Sequence, residues 1–223
     1  MNERTQDRIF AGCGIASVVL ALGGTAVATA AGKTHNLTVS STGAQLAHAL
    51  AKPAGTGVWV GAYLELLGVG AFLAFAVWAC AKLGGGLLGA LARAAGTSYA
   101  TVTIASLGMM AAIAYRAGHG MDVQLGRTLV TINEALYVCT WFLFVFFLLA
   151  AGPLALTAGR RALGWSAIGI ALATLVATAV SFDNLGQLSV LLWFAWTVYA
   201  SIALVRGKHA HVRAVAVSTA QHA

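Results

Sequence analysis

The sequence predicts an all-α, polytopic membrane bundle of six transmembrane helices with both termini in the cytoplasm. Three observations lead there. Hydrophobic residues make up 60% of the 223-residue chain and mean hydropathy is +0.85. Only 9% of residues are charged, far below the roughly 25% of a soluble domain. Those charges cluster between apolar runs, each long enough to cross a bilayer as a helix.

The spans are expected in order. Ile9–Ala31 is the first; its apolar run is longer than the h-region of a signal peptide, so it is read as a retained helix. Val58–Ala81, Thr97–Tyr115, Thr128–Ala151, Leu163–Phe182 and Leu188–Val205 follow. Each holds 18 to 24 residues, about 27–36 Å at 1.5 Å per residue. The Gly-rich run KLGGGLLGALARAAGTS, between the second and third spans, lacks the phosphate-loop pattern. It is read as an inner connection with a short interfacial helix over Leu87–Ala94. The longest connection, after the first span, contains a predicted short helix from Thr42 or Gly43 to Ala51, stopped by Pro53. Residues 1–206 therefore form one transmembrane domain, and 207–223 a short basic cytoplasmic tail.

Lysine and arginine counts set the orientation. With the N-terminus inside, nine basic residues lie inside and four outside. The high Ala and Gly content suggests a bacterial protein, which places the expected location in the cytoplasmic (inner) membrane. The +7 formal charge resides in short loops, with no basic surface interleaved with aromatics, so nucleic acid is not an expected partner. The expected partners are the lipid bilayer, a small polar or cationic solute, and a second copy or another membrane protein.

Glu65 is the most informative residue. It lies about 12 Å into the second span from Gly57, too deep for a relaxed surface carboxylate. A charged glutamate facing lipid is costly, so it must face the bundle or a water-filled cavity, or stay protonated. Gly57, Gly61, Glu65, Gly68 and Phe72 form one stripe at three- and four-residue spacing, which suits either close helix packing or space for a ligand. Glu134 and Asn133 fall at a similar expected depth in the fourth span, with Tyr137 one turn on. Arg116, at the end of the third span, is the expected partner of one glutamate, since its guanidinium can grip a carboxylate with two bonds. Trp193 and Trp196 form the expected aromatic wall.

These seven residues, Glu65, Glu134, Asn133, Tyr137, Arg116, Trp193 and Trp196, are the candidate ligand site. The function expected from them is binding or transport of a small polar or cationic solute through an outward-facing polar cavity. The alternatives are a non-catalytic structural or accessory membrane subunit, and an outward-facing membrane enzyme. No catalytic residue is assigned. All six histidines fall in loops or the tail, which argues against a transmembrane haem or di-iron centre. His35, His48 and His119 carry no HExxH pattern, and no metal or cofactor is expected. The helix interiors hold no lysine for a retinal Schiff base, and no TVGYG-like filter is present. Cys13, Cys80 and Cys139 form no CxxC pair and are read as small buried hydrophobes.

Overall fold

A computed structural model describes residues 2–31, 37–180 and 188–206. Its elements are α1 (Glu3–Ala31), α2 (Gly43–Leu50), α3 (Thr56–Leu83), α4 (Gly86–Arg116), α5 (Val123–Thr157), α6 (Arg161–Val180) and α7 (Leu188–Arg206). Six of these helices are long and apolar enough to cross a membrane, and the chain is a multi-pass helical bundle. Apolar residues occur almost all round each long helix, as lipid on one side and neighbouring helices on the other require.

The helices overrun the spans that hydropathy delimits. A helix in lipid must satisfy every backbone polar group within itself, and nothing stops it at the hydrocarbon boundary unless a breaker stands there. α5 is the extreme case. Its 35 residues reach about 52 Å, well beyond a ~30 Å hydrocarbon core. Pro153 lies inside it, near the C-terminal end, and cannot donate a backbone hydrogen bond to the preceding turn. The expected separate helix over Leu87–Ala94 is corrected for the same reason: it is the first part of a continuous α4 that starts at Gly86. The glycines break the chain before that point, where Gly84 and Gly86 have φ of +135° and +72°.

The short helix of the first long connection forms as expected; side chains fix its N-terminal end and a backbone bond its C-terminal end. Thr42 is its N-cap, receiving the Gln45 backbone N–H at 3.2 Å. The Gln45 side chain in turn accepts the Thr42 N–H at 2.7 Å, completing a capping box. Its apolar face, Leu46, Ala49 and Leu50, packs on Ile113, Ala117, Met121 and Val130 at the adjoining ends of α4 and α5. The Gly118 N–H donates to the Leu50 carbonyl at 2.7 Å and ties the end of α2 to the turn after α4.

The chain divides into two compact units; α1, α3, α4 and α5 contribute residues to both, and α6 and α7 only to the first. The first takes its described residues from Met1–Ile15, Ala74–Arg93 and Val145–Ala223; the second is Ala16–Leu73 and Ala94–Phe144. In the first, α5 and α6 touch backbone to backbone: a Cβ on Gly164 would stand 2.7 Å from the Gly152 carbonyl oxygen. In the second, α1 and α3 meet the same way, and that crossing positions Glu65. The expected tail, 207–223, lies outside the described residues.

Candidate functional site

The glycine stripe of α3 lies against α1. A Cβ on Gly61 would stand 2.6 Å from the Gly24 carbonyl oxygen and 2.7 Å from the Ala28 nitrogen. A Cβ on Gly24 would meet the Gly61 carbonyl oxygen and Glu65 Cγ, each at 2.7 Å. Only glycine on both helices permits this approach, the small-residue crossing typical of membrane helices. Gly68 continues the seam about two turns further, against Ala21 and Ser17.

That crossing brings Glu65 to α1. Thr25 Oγ1 donates to Glu65 Oε1 at 2.7 Å. The carboxylate is half-buried. It also borders a cavity of about 30 Å³ lined by Val58, Trp59, Ala62, Leu107, Met110 and Ala111. A space of that size takes a water molecule or two and no organic solute.

The remaining candidates of this unit fall on α4 and α5. Asn133 Oδ1 accepts the Ser106 hydroxyl at 2.8 Å and so joins the two helices. Glu134, on the next position, is half-buried and has no hydrogen bond or ion pair among the described residues. Tyr137 is 47% exposed, and its ring meets Trp141 edge-on at 5.7 Å. Asn133 is thus engaged with α4, and Tyr137 with its own helix.

Arg116 is exposed and pairs with neither glutamate. The ion pairs among the described residues are Lys82 with Glu3 and Lys82 with Asp7. Arg116 ends α4 beside the turn that α2 covers. Trp193 and Trp196 belong to the first unit and are buried at 5% and 3% exposure. Trp193 stacks on Phe194 at 5.3 Å; Trp196 meets Phe147 edge-on at 6.1 Å and donates from Nε1 to the Leu163 carbonyl at 3.4 Å. Both rings are packed in that unit's core.

Sequence reasoning passed over one polar cluster. Asp7, only 6% exposed, accepts from Lys82 Nζ at 2.7 Å and from Trp78 Nε1 at 3.1 Å. Lys82 also reaches Glu3 at 3.1 Å. The signal was present as two matched pairs at four-residue spacing, Glu3/Asp7 on α1 and Trp78/Lys82 on α3. The expected first span starts at Ile9 and so leaves Asp7 outside it, whereas α1 begins at Glu3.

Of the remaining polar side chains, His119 Nδ1 contacts the Tyr115 carbonyl at 2.9 Å, and His35 lies outside the described residues. No group of three or more metal-ligating side chains occurs among the described residues. Cys80 is buried as expected, whereas Cys139 is exposed on the surface of α5. Asp183, Asn184 and Gln187 lie outside the described residues. No family model, curated protein or solved structure matches this chain.

Proposed function

We propose that the chain is a non-catalytic structural or accessory subunit of a bacterial cytoplasmic membrane, in which the polar side chains within the spans fasten helices together. The observation that carries this reading is the Thr25–Glu65 hydrogen bond at the Gly24–Gly61 crossing. A carboxylate in a span must find a donor, and here it finds one on the neighbouring helix. Ser106 and Asn133 make the same kind of bond between α4 and α5. The nine-to-four distribution of basic residues supports both termini inside.

The test compares Glu65→Gln with Glu65→Leu by thermal unfolding in detergent. Glutamine keeps an oxygen for Thr25, so most of the stability should survive. Leucine removes it, and a loss of about 1–2 kcal/mol is expected. Leucine as stable as wild type would sink the fastening role.

A second reading is favoured by a different observation: Glu65 borders a cavity between α3 and α4. On that reading the cavity widens to admit a small cation, with Glu65 as its charge partner and Glu134, Asn133, Tyr137 and Arg116 around it. Trp193 and Trp196 would act in that case by holding the first unit's helices. Stabilisation of wild type, but not of Glu65→Gln, by alkali cations or small quaternary ammonium ions would establish it. Equal stabilisation of both proteins would exclude Glu65 as the partner.

A further inference from the structure

The first unit carries an open groove of about 260 Å³ between the start of α1 and the end of α7. Its floor is apolar, formed by Ile15 on α1 with Ile202 and Val205 on α7; Gly12 leaves a gap in the wall, since no atom stands within 4 Å of where its Cβ would be. Two arginines, Arg8 and Arg206, border it. Both are exposed, and neither has a hydrogen bond or ion pair among the described residues. Their neighbours are otherwise occupied. Lys82 takes up Asp7 and Glu3, and Arg160 donates to the Ala203 carbonyl at 2.9 Å.

We propose that this groove binds one anionic phospholipid of the phosphatidylglycerol class, with its phosphate between Arg8 and Arg206 and an acyl chain along Ile15, Ile202 and Val205 past Gly12. The chemistry matches at both ends of such a molecule. A guanidinium presents two parallel N–H donors that fit a phosphate, and it sheds water more readily than an ammonium. The apolar floor suits a chain that already lies in the hydrocarbon. A phosphodiester supplies the negative charge that Arg8 and Arg206 lack here, at the membrane boundary where α1 begins and α7 ends. The basic-residue distribution places that end in the cytoplasmic leaflet, where basic pockets between helices take acidic headgroups.

The experiment is native mass spectrometry of the full chain, released from a neutral detergent, with phosphatidylglycerol titrated against phosphatidylcholine. Wild type should retain one phosphatidylglycerol in preference to phosphatidylcholine. The double variant Arg8→Gln/Arg206→Gln should lose roughly thirtyfold in that affinity, from about 1 kcal/mol per charge. Gly12→Leu keeps both charges and fills the gap, so it should weaken binding while its circular dichroism stays that of wild type. Arg127→Gln, at an exposed arginine that does not line the groove, should bind as wild type does. Unchanged affinity in both groove variants would overturn the proposal, as would an equal loss in Arg127→Gln. Displacement of the lipid by millimolar inorganic phosphate would overturn the role of the acyl chain. A lipid-free dimer that dissociates in Gly12→Leu would assign the groove to a second copy instead.

Discussion

Lys82 Nζ and Asp7 Oδ1 stand 2.7 Å apart, joining the last turn of α3 to the first turns of α1. Asp7 is among the few polar side chains in the buried core, and Trp78 Nε1 donates to the same oxygen. Removing one member of a buried pair strands the other, which costs more than the pair contributes. Asp7→Leu should therefore destabilise the protein by about 2–3 kcal/mol, softened because Lys82 keeps Glu3. The double variant Asp7→Leu/Lys82→Met should recover part of that loss. Thermal unfolding of wild type, Asp7→Leu, Lys82→Met and the double variant in one detergent gives the coupling, expected at about 1–3 kcal/mol; additive losses would show that the two side chains act independently.

Gly23 and Gly24 are neighbours in sequence and opposites in space. A Cβ on Gly23 meets nothing within 4 Å, while one on Gly24 meets the Gly61 backbone. Gly23→Ala should be neutral or slightly stabilising, by a few tenths to about 1 kcal/mol. Gly24→Ala should cost about 1–3 kcal/mol through forced separation of α1 and α3. Equal melting temperatures for the two variants would contradict the crossing.

The capping box of α2 is worth testing by exchange rather than by melting. Thr42→Ala should remove about 1 kcal/mol of local stability. Faster amide deuteration over Gly43–Leu50, with α4 and α5 unchanged, is the expected pattern. Leu46→Ala, at a side chain only 1% exposed, should cost about 2–4 kcal/mol and loosen the adjoining ends of α4 and α5 as well.

Orientation is open to chemical labelling. In a variant with Cys13, Cys80 and Cys139 replaced by alanine, Ser40→Cys should react with a membrane-impermeant maleimide in intact cells. Gln6→Cys should react only after permeabilisation. Both positions are exposed, so reactivity reports the side of the membrane. The reverse pattern would invert the topology.

Much of the fold was legible because lipid imposes a simple rule. Apolar runs of sufficient length must become helices, and their residue content alone identified all six. The capped helix before Pro53 was legible for a local reason, since Thr42, Gln45 and the apolar face lie within one short stretch. Helix ends were less so: Glu3 and Asp7 look like a soluble leader until Lys82 and Trp78 stand opposite them. The site divides the same way. The glycine spacing around Glu65 announced a close approach, but its partner Thr25 is a small hydroxyl in an apolar run that no pattern singles out. Arg116 reads as a partner for a glutamate because opposite charges attract, but it stands exposed and pairs with neither.

The docking of α2 also bears on how the protein is made. Ile113, Ala117, Met121 and Val130, which receive its apolar face, are synthesised well after Leu46 and Leu50. A helix of eight residues is marginal alone in water, and its capping box helps it persist while α3, α4 and α5 enter the bilayer. The second unit therefore closes in an order opposite to the chain's: an early segment waits, and later ones complete its seat. A ribosome stalled before Met121 would leave that seat unfinished and Leu46 open to a quality-control protease.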